Sequence, residues 1–280
     1  MTLPKEVGVY GGGRMGAGIA HAMLLAGTSV VVIETDDDTA RAAGERVSAS
    51  LAKADERGLL TEPVDAVRTR LTTTADTDAL ATCGLVIEAV PEISELKSKV
   101  LSRIESVAPQ AVLATNTSSL SVDGLASGLA RPENFLGLHF FNPVPASELV
   151  EIVVGAKTTQ EVVRDAQRWV ADLGKTAITV TDSPGFASSR LGVAIALEAM
   201  RMLEDGVATA ADIDTAMTLG YKHPMGPLRT TDIVGLDVRL AIAEHLAREV
   251  GPRFEPPAIL RELVDAGHLG RKTGRGFYSW

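Results

Sequence analysis

His139 opens the stretch "HFFNPVPASELVEIV" (residues 139–153) and precedes Glu151 by twelve positions, across a proline-punctuated turn. General acid–base chemistry uses such a pair: the carboxylate fixes the imidazole tautomer and the imidazole moves a proton on the substrate. A second cluster lies upstream. "YGGGRMGAG" holds Gly11, Gly13 and Gly16 in G-x-G-x-x-G spacing, with Arg14 and Met15 opening the following helical run. Gly11 permits a tight turn, Gly13 lets the backbone approach a pyrophosphate, and Gly16 lets the helix lie against the strand. The N–H groups of that helix start face the phosphates. Glu34 ends the next β-branched run, eighteen residues after Gly16, where an acid binds the adenosine ribose hydroxyls. Asp36, Asp37 and Asp38 would repel a 2′-phosphate, which favours NAD over NADP. Arg41 counts against that choice, and the three aspartates serve a helix start equally well.

These residues need elements to hold them. Short β-branched runs at 7–10, 29–33, 84–90, 111–115, 135–141, 149–155 and 176–181 alternate with amphipathic stretches, the mark of strands joined by helices. Long helices are expected from about Asp38 to Gly58 and over 92–107. Such sheets bind ligands at the carboxyl ends of their strands. Glu92 and Lys97 beyond "IEAVPE", and Asn116 and Ser118 in "ATNTSSL", are thereby placed toward the nicotinamide end of a dinucleotide. His139 ends the next strand and Glu151 lies on the one after, which turns the pair from a buried curiosity into a candidate catalytic couple.

After "TDSPGF" the character changes. "SSRLGVAIALEAMRMLEDG" is a long apolar helix, and "TAADIDTAMTLG" is a helix capped by Thr209 with Asp212 three residues on. No strand pattern returns. The expectation is an α/β fold: a Rossmann-type, doubly wound sheet domain over 1–183, then an all-helical dimerisation domain over 184–280. The second segment carries more apolar residues than it can bury alone, which points to self-association as a homodimer.

Bulk properties exclude other classes. A net charge of −9 and 4% aromatic residues argue against nucleic acid. Any anionic ligand must be held by local features working against that global field. No apolar run reaches the roughly 18 residues of a membrane span. Cys83 is the single cysteine, so no internal disulfide forms, and the first residues run straight into a strand with no room for a leader. A cytoplasmic protein is expected. The histidines show no metal-ligand spacing, so no metal is expected, and His21, His223, His245 and His268 read as structural. Lys272 and Arg275 in the final "GRKTGRGFYSW" read as a basic solvated tail in preference to a phosphate contact, which either could also make.

Eight stretches in order ("GGGRMGAGIA", "LVIEAVPE", "ATNTSSLS", "GLHFFNPVP", "ELVEIV", "DSPGF", "KHPMGPL" and "GRKTGRGFY") resemble the L-3-hydroxyacyl-CoA dehydrogenase family, especially its short 3-hydroxybutyryl-CoA branch. The resemblance implies NAD as cofactor, an acyl thioester as substrate, His139 as catalytic base and Glu151 as its partner. It puts Ser118 on the reacting oxygen and Asn142 near substrate and nicotinamide. Three departures bear on substrate. Ser189 in "PGFASSR" stands where the family has an Asn that contacts substrate. Ala146 and Ser147 replace a larger apolar pair. Lys53 and Arg57 persist at a helix end that meets coenzyme A in the family, but Asp55 and Glu56 offset them. Together these raise an alternative, a small hydroxyacyl unit such as a glyceryl group on an acyl carrier protein of polyketide extender-unit biosynthesis. A free hydroxy acid as substrate, or a non-catalytic NAD-binding protein, are lesser alternatives.

Overall fold

The computed structural model describes residues 2–280. The chain divides after Asp182 into two compact units, the second spanning Ser183–Trp280.

The first unit is built on eight strands: β1 (Glu6–Tyr10), β2 (Ser29–Ile33), β3 (Leu71–Thr74), β4 (Leu85–Glu88), β5 (Val112–Thr115), β6 (Phe135–Phe140), β7 (Leu149–Val154) and β8 (Thr176–Thr181). They form one sheet in the order β3-β2-β1-β4-β5-β6-β7-β8. The first six follow the dinucleotide-binding order, reversing between β1 and β4, where such sheets open a crevice. The central runs "VVVI" and "LVIE" are buried on both faces, as parallel strands covered by helices must be. Two features differ from the expected pattern of parallel strands. β7 runs antiparallel to β6, because the short "NPVPAS" turn between them leaves no room for a crossover. β3, whose "LTTT" lacks an apolar run, is a half-exposed edge strand that hydropathy does not reveal.

The covering helices are α1 (Arg14–Leu25), α2 (Asp37–Glu56), α3 (Val64–Arg68), α4 (Ser94–Val107), α5 (Val122–Ala126) and α6 (Gln160–Asp172). α1 is rich in Gly and Ala because it lies close on the sheet, where a Cβ on Gly16 would collide with the Gly11 carbonyl. Asp36 caps α2 in a capping box with Thr39, so the acidic cluster starts a helix. Arg41 is taken up by Asp38 at 2.9 Å on the exposed surface.

In the second unit α7 (Ser188–Glu204), α8 (Ala210–Thr215), α9 (Pro227–Val234), α10 (Leu236–Val250) and α11 (Ala258–Asp265) surround a core of Val193, Leu197, Met200, Leu228, Leu246 and Leu260. Thr209 caps α8 as the sequence suggests, and a π-helical turn follows over Ala216–Gly220. The motifs "KHPMGPL" and "GRKTGRGFY" are scaffold. Buried Asp214 accepts from the backbone N–H groups of Leu228 and Arg229, and Asp232 from those of Phe277 and Tyr278. Gly276 leaves space for the Asp232 carboxylate that any side chain would fill. Lys272 is exposed, and its Nζ donates to Asp237 at 2.6 Å and 2.7 Å.

Candidate active site

The glycine turn, α1 and the ends of β2 and β4 enclose a cleft of about 810 Å³ in the first unit. Gly11, Gly13, Arg14, Met15 and Glu34 line it, so the glycine turn and the acid at the end of β2 face one space. Gly11 has φ +98°, which a side chain would strain. A Cβ on Gly13 would stand in open space, so that glycine leaves the backbone bare toward a ligand. Glu34 Oε1 accepts from the Gly12 N–H at 2.6 Å, which aims its carboxylate across the turn. Gly12 is a functional residue that motif spacing passes over: a Cβ there would meet Ala43, Val32 and the Glu34 carboxylate. Arg46 braces the same turn by donating to the Gly12 carbonyl at 3.0 Å.

At the ends of β4 and β5 the placement differs from expectation in one respect. Lys97 is buried at 1% exposure, turned into the protein and not into the cleft. Its ammonium donates to Glu88 at 2.7 Å and to the Val90 carbonyl at 3.1 Å, and lies 3.3 Å from Glu92. Helix periodicity explains this: α4 turns Lys97, Leu101 and Ile104 inward and presents Leu96, Lys99, Val100 and Arg103 to the cleft. Glu88, which sequence reading left as part of a strand, proves central. It is fully buried and also takes the Val90 N–H and the Thr115 hydroxyl. An acid inside the apolar run "LVIE" was the available signal, since buried acids are retained when paired.

Glu92 in turn accepts from Thr117 Oγ1 at 2.6 Å, Ser118 N at 2.9 Å and Ser119 N at 3.0 Å. Burial pushes its carboxyl up, but the Thr117 bond, the Lys97 charge and the Ser118 and Ser119 donors outweigh this and hold it below the usual carboxylate range. Ser118 itself is exposed at this turn. Asn116 Oδ1 accepts from the Phe140 N–H at 2.9 Å, tying the end of β5 to the residue after His139.

His139 and Glu151 face each other in the β6–β7 register. His139 Nδ1 and Glu151 Oε2 are 2.7 Å apart, with the histidine 6% exposed and the glutamate buried completely. The antiparallel pairing that sequence did not foresee creates this couple. Phe141 packs against the imidazole at 4.4 Å between ring centroids. Asn142 is exposed in the turn after β6 and shares a cavity of about 480 Å³ with Arg14, Arg46 and Ser50. Lys53 lies one turn of α2 beyond Ser50, exposed. Ser147 closes the same turn; its carbonyl and that of Val144 accept from Lys175 Nζ, a clamp that sequence reading missed. Burial lowers the Lys175 pKa, against the opposing pull of Glu148. Ser189 belongs to the second unit, half-buried in the first turn of α7.

No group of three or more potential metal ligands occurs among the described residues. No helix there is long and apolar enough to cross a membrane.

Residues 6–183 match the family described as 3-hydroxyacyl-CoA dehydrogenase, NAD binding domain, and residues 185–280 match its C-terminal domain. The chain belongs to the 3-hydroxyacyl-CoA dehydrogenase family. It is 41% identical over 281 residues to a 3-hydroxybutyryl-CoA dehydrogenase of Mycobacterium tuberculosis, covering 99% of this chain and 98% of that one. Among solved structures it resembles the (S)-3-hydroxybutyryl-CoA dehydrogenase PaaH1 of Ralstonia eutropha, with 38% identity, TM-score 0.94 and 99% of both chains covered. FadB2 of M. tuberculosis gives 41% identity and TM-score 0.91, again over 99% of both chains. As a family member it is an oxidoreductase with NAD as cofactor. The cleft fits that cofactor: a bare glycine turn for the pyrophosphate and an aimed Glu34 for the ribose.

Proposed function

We propose that the chain interconverts a short 3-hydroxyacyl-CoA and its 3-oxo form, with His139 as the catalytic acid–base. The observation that carries this is the buried His139–Glu151 couple at 2.7 Å on the rim of a dinucleotide sheet. Bound NAD supplies the hydride acceptor or, reduced, the donor. With its Nδ1–H directed at Glu151, the imidazole takes the proton of the substrate 3-hydroxyl on Nε2 and returns it in the reverse direction. Glu151, shut away from water, holds the tautomer and stabilises the imidazolium. Ser118, presented by the turn that Glu92 organises, hydrogen-bonds the reacting oxygen. Asn142 borders substrate in the cavity it shares with Arg14, and Ser189, which stands where the family has a substrate-contacting Asn, is assigned to the acyl group by that resemblance. Lys53 serves the anionic end of the thioester, and Ser147 shapes the turn beside it.

The relatives are named for action on coenzyme A thioesters, which favours a coenzyme A thioester here. Nothing in the comparisons favours the carrier-protein alternative. A homodimer formed through the helical unit is part of the proposal, supported by exposed Leu191, Ile195, Leu219 and Tyr221. Cytoplasmic localisation is also proposed, in keeping with a single buried cysteine whose thiol burial pushes up to about 12. NADH oxidation with acetoacetyl-CoA, beside the same assay with acyl groups on a carrier protein, tests the reading. Turnover of the coenzyme A substrate is expected; turnover on the carrier alone would overturn it. Light scattering checks the dimer.

A further inference from the structure

The turn between β6 and β7 (residues 141–148) lies outside the sheet, yet it carries Asn142. The ladder that pairs His139 with Glu151 closes at Phe140 and Val150, so the place of Asn142 depends on whatever holds the turn. Inside it, the Ala146 and Ser147 N–H groups both donate to the Pro143 carbonyl at 3.0 Å. The Val144 and Ser147 carbonyls are left for a donor from elsewhere. Val144 is buried at 2% exposure, where a carbonyl without a partner is costly.

Lys175 supplies both. Its Nζ donates to the Val144 carbonyl at 2.8 Å and to the Ser147 carbonyl at 2.5 Å. Among the described residues it is the one side chain that donates to carbonyls of this turn. Local sequence fixes where it starts. Gly174 has φ +68°, and bonds from the Gly174 N–H to the Ala171 carbonyl and from the Lys175 N–H to the Val170 carbonyl end α6 in a Schellman turn. On the opposite side Val144 packs against α1, where a Cβ on Gly18 would come within 2.9 Å of the Val144 side chain. A bare spot on one helix and an ammonium beyond the end of another therefore grip the turn between them.

Lys175 lines neither the dinucleotide cleft nor the cavity that Asn142 shares with Arg14. It lines a separate cavity of about 280 Å³ with His21 and Pro145. Whatever it does for the reaction it does through the turn.

We infer that Lys175 is a positioning residue for the reaction: by tying the Val144 and Ser147 carbonyls it sets where Asn142 holds the substrate against His139. The inference rests on the dehydrogenase reading above, in which Asn142 borders substrate. Small displacements of a group that orients a substrate are expensive in rate, even when the cause lies away from the chemistry. The fold can survive the loss of the ammonium, because the cavity beside it has room and polar walls for water to meet the freed carbonyls.

The test is a double-mutant cycle of Lys175→Met and Asn142→Ala, read as NADH-dependent reduction of acetoacetyl-CoA beside NADH binding by fluorescence titration. Lys175→Met alone should lower kcat/KM by about ten- to a hundred-fold, with NADH affinity within about twofold of wild type. In the Asn142→Ala background the same change should cost less than about threefold, because the group it positions is already gone. A purely structural role would give the same loss in both backgrounds. Lys175→Gln, which keeps one donor and loses the charge, should show the same non-additivity with a smaller loss, and it carries the cycle if the Met variant does not fold.

Fully additive losses would overturn the inference, as would a Lys175→Met enzyme with wild-type kcat/KM or one whose defect is a loss of NADH affinity. If wild type does not reduce acetoacetyl-CoA, the dehydrogenase reading itself fails and this inference goes with it.

Discussion

A carboxylate–ammonium pair and a carboxylate–imidazole pair are both buried in the first unit, and they are built for opposite ends. Glu88 and Lys97 are both shut away from water, and every partner is fixed: ammonium to two carboxylates and a carbonyl, carboxylate to an N–H and a hydroxyl. Glu151 and His139 have the same 2.7 Å contact, but the partner is an imidazole, whose second nitrogen can take a proton while the first stays on the carboxylate. An ammonium held by fixed acceptors anchors loops; an imidazole backed by a carboxylate can pass a proton. Burial and distance alone do not separate the two roles, whereas the identity of the carboxylate's partner does.

Substitutions should separate the pairs cleanly. Glu151→Gln keeps shape but removes the charge behind the imidazole, so turnover should fall by about 10²- to 10⁴-fold, with the melting temperature little changed; steady-state kinetics and calorimetry check this together. Lys97→Met should do the reverse. It strands Glu88 as an uncompensated buried charge, at a cost of about 3–5 kcal/mol, read by denaturant unfolding. Replacing Glu88 with Met as well should recover much of that loss.

Acidification should act on groups whose folded pKa is depressed. His21 is 3% exposed with an unpartnered Nδ1, and burial, then the Lys175 charge, lowers its pKa from 6.5. Its contribution is present above 6.5 and is lost as pH falls toward the lower folded value. His21→Leu should flatten that part of the stability–pH curve. Glu92, also depressed, should lose its contribution only below the ordinary carboxylate range, and Glu92→Gln should remove that later slope. Arg41→Ala breaks an ion pair with side chains 69% and 87% exposed and should change stability immeasurably.

Much of this was legible in sequence, and the reasons are local. The glycine turn, Glu34, the Thr209 cap and the change of character near Asp182 rest on rules that act within a few residues. What escaped depended on distant contacts. Lys97 looked like a cofactor contact because its inward face is set by the buried Glu88, nine residues away. Lys175 clamps a turn some thirty residues upstream, at Val144 and Ser147. β7 reads as one more strand, yet its antiparallel direction is what brings Glu151 to His139. Arg239 in "GLDVRLAIAEHLARE" resembles any surface helix arginine until its burial over Gly192 is seen.

The central claim is that His139 performs the proton transfer and takes no part in holding the dinucleotide. Its most direct test is His139→Gln, measured for NADH binding by fluorescence titration and for acetoacetyl-CoA reduction in the same preparation. Binding should stay within about twofold of wild type while turnover falls by about 10²- to 10⁴-fold. Turnover close to wild type, or a loss of dinucleotide binding that accounts for the whole defect, would contradict it.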